Sequence, residues 1–263
     1  MNVENVMTYS IEVAPYLLAG FVAGKVAESI ALEAYAHQAL AHRTVQLHPA
    51  VEDVSRSVLV LGGMSPNLFA AEHRMHHAQD TTEPSRTTGE RLRHVLRSGG
   101  AVAGTVYLDP MVMLFPGYSF ADDPLIRQTK QGALTFRHNG PIERLVAKGL
   151  PANLLPLVGA TAMTAYAMKR AGQKHPIAKS IALFSGYQAG LTTQAIITSY
   201  AEGRAGRTNN RLHIQSLPKL LRPRIVRHQQ HHEAPEVAYS GSATRHKVTG
   251  RILASLGLLQ QLK

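Results

Sequence analysis

The chain contains 263 residues, 44% hydrophobic and 17% charged, which excludes a disordered or fibrous protein. It contains no cysteine, which excludes a disulfide scaffold, a thiolate zinc site and a cysteine nucleophile. The formal net charge is +11, and residues 203–251 hold ten Lys or Arg against two acidic residues. Such a basic stretch suits nucleic acid, anionic lipid or an acidic substrate. The most unusual number is 14 histidines in a chain without tryptophan.

The periodic stretches are rich in Ala, Leu, Met and Gln and lack alternating β-branched runs, so the sequence predicts an all-α fold. Long polar connections are expected at 79–139 and 203–247, and connections of this length often carry function. The predicted helices cover residues 11–47, 50–78, 140–169, 177–203 and 248–261.

Five segments are apolar enough to be considered as buried or membrane helices, at about residues 12–36, 56–71, 100–118, 145–168 and 177–201, and we expect those at 12–36, 145–168 and 177–201 to be membrane helices. None is an uninterrupted run of about 20 apolar residues, the length that a bilayer core requires. The remaining chain is long and polar. We therefore expect a single domain over residues 1–263, built as a helical membrane-associated bundle with a large polar portion.

Eight histidines form three clusters, an H-x4-H pair followed by two groups with the spacing H-x2-H-H. Residues i, i+3 and i+4 share one face of an α-helix, so each H-x2-H-H group can present three imidazoles to one ion or divide them between two. The i, i+5 spacing separates two rings by about 140° on an α-helix, which suits two metals or a helix end. The eight residues are His37, His42, His73, His76, His77, His228, His231 and His232.

A purely structural role for all three clusters is unfavourable, because clustered imidazoles lose stability whenever they protonate together. Imidazole without thiolate suits iron, zinc, copper or nickel, and eight such ligands are too many for one ion and about right for two. Two redox metals bound by neutral nitrogens favour iron that reacts with oxygen. The isolated histidines are expected to be solvated surface residues. These are His48, His94, His175 and His246.

The three clusters resemble, in order and form, the histidine boxes of the membrane fatty acid desaturase family, the acyl-CoA Δ9 type in particular. Residues 35–44 (YAHQALAHRT) resemble the family's G-Y-H-R-L-x-x-H-R-S. Residues 72–84 (EHRMHHAQDTTEP) resemble H-R-x-H-H-x-x-x-D-T-E-x-D-P. Residues 228–235 (HQQHHEAP) resemble H-N-N-H-H-x-F-P, and residues 248–258 (VTGRILASLGL) resemble the family's terminal helix.

This resemblance implies an integral membrane bundle with a histidine-rich di-iron cap on its cytosolic face. It assigns all eight clustered histidines to the two iron ions, and Arg74 and Asp80 to the catalytic motif as positioning groups. Such an enzyme uses O2 and two electrons to introduce a double bond into an acyl chain, carried by CoA or another acyl lipid. The sequence has no Cys and no His-Pro-Gly-Gly haem motif. We therefore expect a separate electron donor, a ferredoxin, a rubredoxin or a cytochrome b5-type protein.

The family carries a further histidine ligand at the end of its fourth membrane helix, in N-S-x-x-H-x-x-G. Here Tyr200 stands at the histidine position and Ile196 at the asparagine position. Glu202 or His213 could replace the missing ligand. Three functions stay open: an acyl desaturase, a di-iron lipid hydroxylase or oxygenase of the same superfamily, and a degenerate homologue that binds metal or lipid without turnover.

The basic C-terminal stretch leaves nucleic-acid binding as a further alternative. Tyr239 is the only aromatic residue within 203–251, so stacking on bases has little support and no nucleic-acid partner is expected. The basic residues within 204–227 instead suit the phosphates of an acyl carrier or the headgroups of anionic lipids.

Overall fold

In a computed structural model of the chain, the structure describes residues 3–62, 64, 66, 69, 70, 73, 77, 154–205 and 217–262. The described residues are mostly helical, which confirms the predicted helical character. The helices are α1 (Val3–Ala27), a π-helix (Glu28–His42), α2 (Pro49–Leu61), α3 (Leu154–Arg170), α4 (Pro176–Ala205), α5 (Arg222–Glu233) and α6 (Thr244–Ser255). A small antiparallel sheet, which the sequence did not predict, pairs β1 (Val45–Leu47) with β2 (Leu259–Gln261).

The first predicted helix, over 11–47, ends earlier than expected. It runs as α1 and then as the π-helix, and it stops at His42. Arg43 takes a left-handed conformation (φ 57°), and its backbone N–H donates to the Gln38 carbonyl. This arrangement is a common way to end a helix, because it satisfies a carbonyl left free in the last turn.

The C-terminal part differs most from the prediction. The expected connection at 203–247 contains α5, and the last helix begins at Thr244 rather than at residue 248. Its predicted end is instead β2, because the chain turns at Gly257 (φ 69°) before pairing with β1. The predicted connection at 79–139 lies outside the described residues.

The predicted membrane segments 12–36 and 177–201 fall on α1 with the π-helix and on α4, and the described part of 145–168 falls on α3. Among the helices that the structure describes, none combines the length and the apolar character needed to cross a membrane. These three α-helices nevertheless expose large apolar side chains, which include Ile11, Leu18, Val22, Met163 and Ile177.

α1 and α4 pack so closely that backbone touches backbone, and glycines make this possible. A Cβ atom on Gly20 would lie 1.9 Å from the Leu183 carbonyl oxygen, and one on Gly24 would lie 2.2 Å from the Tyr187 carbonyl oxygen. A step of four residues along α1, from Gly20 to Gly24, matches a step of four residues along α4, from Leu183 to Tyr187. The two helices therefore run in the same direction. The chain that leaves α1 and the chain that leaves α4 therefore emerge at the same end of the bundle.

The main core lies at that end, where the π-helix packs against α2, the sheet and α6. Its buried side chains include Tyr35, Leu59, Leu253 and Leu259. The Tyr35 hydroxyl accepts a hydrogen bond from Arg56 Nη2 at 2.6 Å, so its polar atom is satisfied inside the core. This packing fixes the first histidine box relative to the C-terminal segment that carries the third.

Candidate metal centre

The first histidine box lies at the end of the π-helix. A π-helix is built from i→i+5 hydrogen bonds, so residues five apart come close to one face, unlike in an α-helix. His37 and His42 both direct Nε2 at the Nε2 atom of His73, at 2.9 Å each. The expected divergence of the two rings is therefore wrong, because it assumed α-helical geometry. Of the two alternatives that the spacing left open, the helix end applies, since His42 is the last residue of the π-helix.

Four histidines from the three boxes, His37, His42, His73 and His231, have ring nitrogens that all lie within 4.8 Å of one another, and His77 adjoins them, so five rings gather here. We call them the five-histidine cluster: His37, His42, His73, His77 and His231. The Nε2 atom of His231 lies 3.1 Å from that of His37 and 3.0 Å from that of His77. The Nε2 atom of His73 lies 3.0 Å from that of His77 and 3.4 Å from that of His231.

Hydrogen bonds cannot account for this convergence. The Nε2 atom of His73 is within 3.4 Å of four other Nε2 atoms. A neutral imidazole nitrogen carries either one proton or one lone pair, so it cannot serve four partners. An ion bound at about 2.1 Å would place neighbouring ligand nitrogens about 3.0 Å apart in an octahedron and about 3.4 Å apart in a tetrahedron. The observed separations fit a shared cation.

The electrostatics of the cluster favour the metal-binding form of its rings. Burial, followed by the charges of neighbouring histidines, holds the pKa of His73 and of His231 well below the usual range. Neutral imidazole, which donates a lone pair, is the form that binds metal. Phe69 stacks on the His73 ring with a centroid distance of 5.6 Å and adds an apolar wall. The surroundings of these two rings therefore keep them neutral at physiological pH.

The two remaining described box histidines, His228 and His232, form a separate pair one helical turn apart on α5. Their Nε2 atoms are 3.2 Å apart. The His232 ring stacks on that of His77 at a centroid distance of 4.0 Å, so the pair adjoins the five-histidine cluster. Seven of the eight predicted ligands are thus brought together in two adjacent groups.

Several predicted site residues are not described. His76, Arg74, Asp80 and the alternative ligand His213 lie outside the described residues. Tyr200 and Glu202 are on α4, close to its end at Ala205.

Sequence reasoning missed the carboxylate beside the first box. Glu33, one turn before His37, has its Oε1 atom 3.0 Å from His37 Nδ1. Gln38 is also part of this site, since its side-chain oxygen accepts from the Thr44 hydroxyl at 2.7 Å and from the Tyr239 backbone N–H at 3.2 Å. A glutamate four residues before a box histidine was the available signal, because such residues are neighbours on a helix.

The expectation for the isolated histidines is wrong for His246. It is only 4% exposed and lies between two carboxylates, with Nδ1 3.4 Å from Glu33 and Nε2 3.7 Å from Glu28. His48 is exposed as expected, and its Nδ1 atom accepts from the Ala50 backbone N–H as the N-cap of α2. His175 is exposed over 47% of its side chain, and His94 lies outside the described residues.

The third box is held in place by a turn that requires glycine. Gly241 has φ 65°, and a Cβ atom there would lie 2.0 Å from the Arg227 carbonyl oxygen and 2.8 Å from His231 Cβ. Only glycine allows the turn to pack so closely on α5. Gly250 of α6 similarly leaves room for the ring of Tyr239, so the segment 239–250 clamps the helix that carries His231.

No protein-family model, curated protein or solved structure matches the chain.

Proposed function

We propose that this chain is a fatty acyl desaturase with a non-haem di-iron centre. The observation that carries the proposal is that ring nitrogens from all three boxes, those of His37, His42, His73 and His231, lie within 4.8 Å of one another, with His77 beside them. Spacing alone does not require boxes separated by 154 or 194 positions to meet. An all-nitrogen donor set without thiolate suits iron, and the adjacent His228 and His232 suit a second ion.

The protein's part in the reaction is to hold the iron ions, to orient their histidine ligands and to shield the site from water. When bound, iron would supply the redox chemistry that reduces O2 to two waters, with two external electrons, two protons and the two hydrogens lost by neighbouring carbons of the acyl chain. Within the five-histidine cluster, His37, His42, His73 and His231 would hold one ion, and His228 and His232 would help to hold the other. Phe69 and His231 are buried, and Phe69 stacks on the His73 ring, so these residues would limit the access of water to the bound iron.

Two surface features support a lipid substrate in a membrane setting. α1, α3 and α4 expose apolar side chains such as Val26, Val158 and Ile181, and adjoining apolar surface of this kind suits lipid or an acyl chain. The basic residues of α5, Arg224 and Arg227, suit the phosphates of an acyl carrier or of a headgroup. We propose an integral membrane protein whose catalytic face is cytosolic.

The deciding experiment combines metal analysis with product analysis. The full chain, purified in detergent and loaded with Fe(II), is given O2, a reducing system and a saturated long-chain acyl-CoA or acyl glycerolipid. We expect about two irons per chain, as the eight box histidines would suit, and a product that has lost two hydrogens. His73→Ala should remove iron and turnover, because His73 is at the centre of the five-histidine cluster.

A matched control is His48→Ala, an exposed histidine outside the cluster, which should keep the iron and the activity. A product that gains one oxygen atom would identify the enzyme as a hydroxylase rather than a desaturase. Two bound irons without any oxidised product would identify a degenerate homologue. Fewer than one iron in folded protein would contradict the di-iron centre.

A further inference from the structure

We propose that Glu33 is a positioning residue for the metal centre, which fixes His37 in the tautomer and orientation that binds metal. Ser242 and His246, from the segment after the third box, hold Glu33 in turn. This inference rests on the proposed function, because it takes the five-histidine cluster to be a metal site. It adds a residue that none of the three histidine boxes contains.

The first step is the contact between Glu33 and His37. Glu33 Oε1 lies 3.0 Å from His37 Nδ1. An ionised carboxylate can only accept, so Nδ1 must carry the proton, and the lone pair of the ring is on Nε2. That Nε2 atom is the one that faces His73 and His231, at 2.9 and 3.1 Å. A metal-bound histidine usually donates its other ring N–H in this way, which fixes the ring and raises its basicity.

The second step is that Glu33 is itself fixed. Its Oε1 atom also accepts from the Ser242 hydroxyl at 2.7 Å and from Gln38 Nε2 at 3.0 Å. Its Oε2 atom lies 3.4 Å from His246 Nδ1, and the side chain is only 13% exposed. Both oxygens are therefore engaged, and the carboxylate has little freedom to turn away from His37.

The third step is where these partners come from. Ser242 and His246 follow the third box by ten and 14 residues, counted from His232, and lie in the turn before α6 and in α6 itself. The neighbouring residue Arg245 forms an ion pair with the buried Glu28, five residues before Glu33 on the π-helix. The docking of α6 on the π-helix thus completes the surroundings of Glu33. A ligand of box one depends on a segment that follows box three.

The experiment measures metal affinity rather than turnover. The full chain in detergent, stripped of metal, is titrated with Co(II), whose visible spectrum reports ligand number and geometry. We expect Glu33→Gln to weaken binding about 10- to 100-fold and to shift the spectrum, since this is the usual effect of losing such a partner. Glu33→Asp keeps a carboxylate and should recover part of the affinity.

The matched control is Glu12→Gln, the same exchange on the helix that leads into the π-helix. Glu12 also lies near a histidine, with Oε2 3.9 Å from His175 Nε2, but outside the five-histidine cluster. It should leave Co(II) affinity and spectrum unchanged. Circular dichroism confirms that each variant is folded, and Ser242→Ala, with an expected loss of a few-fold, replaces Glu33→Gln should that variant not fold.

A double-mutant cycle separates positioning from general stability. In a His37→Ala background, Glu33→Gln should have little further effect on Co(II) binding, because its target is gone. An equal loss of Co(II) affinity in the wild-type and His37→Ala backgrounds would overturn the proposal. Wild-type affinity in Glu33→Gln, or in Ser242→Ala where that variant replaces it, would also overturn it. A chain that binds Co(II) as described but oxidises no acyl substrate would overturn the proposed function alone. An active chain whose Co(II) affinity is unchanged by Glu33→Gln would overturn this inference alone.

Discussion

The five-histidine cluster and the His228–His232 pair are built from the same side chain but differ in how they are assembled. The cluster draws rings from the π-helix, from the second box and from α5, so it links distant parts of the chain. Both rings of the pair are on α5, and they are neighbours by helical spacing alone. The cluster therefore depends on the tertiary fold, whereas the pair depends on one helix.

The two groups also show what identical spacing leaves open. Boxes two and three share the form H-x2-H-H, and in each the outer residues are four apart. In box two the outer residues, His73 and His77, both belong to the cluster. In box three the outer residues form the pair, and the middle one, His231, joins the cluster instead. The orientation of each box relative to the five-histidine cluster, and not the motif itself, decides which group a ring belongs to.

The largest effect that separates the two groups should come from removing one ring of each. The five-histidine cluster supplies more rings than the pair, so we expect it to form the tighter of two classes of metal site. His231 is buried and has Nε2 atoms of three other rings within 3.4 Å, so His231→Ala should abolish this tighter class. His228→Ala should abolish only the weaker class. Turnover should fall at least about 100-fold in both, since ligand loss exceeds the usual effect of losing a neighbouring group.

The measurement is a Co(II) titration of the full chain, followed by iron analysis of the same preparations. Two affinity classes in the wild type, each lost in one variant, would support two sites. Loss of the same class in both variants would show that the cluster and the pair act as one site.

A second, smaller effect tests whether the cluster depends on tertiary packing. Gly241→Ala would introduce a left-handed alanine and a clash with Arg227 and His231, at an expected cost of about 2–4 kcal/mol in the free energy of unfolding. Gly257→Ala is the matched control, because Gly257 also has positive φ but a Cβ atom there would meet nothing within 4 Å among the described residues. It should cost about 1 kcal/mol, the backbone strain alone.

Urea unfolding gives the free energy of unfolding of both variants. Co(II) titration shows which class of metal site binds more weakly in each. We expect Gly241→Ala to weaken the tighter class of sites more than the weaker one, because its contact is with the backbone and Cβ of His231. Equal unfolding free energies for the two variants would mean that the turn does not clamp α5.

Helical spacing places i, i+3 and i+4 on one face, so the sequence predicted that histidines within one box lie close together, whereas the meeting of the three boxes was implied only by the family resemblance. The sequence could not predict the π-helix, since residue propensities do not distinguish i→i+5 from i→i+4 bonding, and so it misjudged His37 with His42. It also missed the role of Glu33, whose hydrogen bond with Ser242 spans 209 positions. Contacts at that separation depend on how α6 docks, which no local pattern records.

The smallest expected effect concerns the pair, for which α5 supplies two described ligands. Tyr200 stands on α4 where the resembling family has a histidine. If the second ion lacks this ligand, Tyr200→His should slow the release of the weaker Co(II) to a chelator by roughly 10-fold, the gain typical of one better-placed group. The tighter class should not change, because the five-histidine cluster is complete without α4. Unchanged release from both classes would mean that another residue, such as Glu202 or His213, already fills the position.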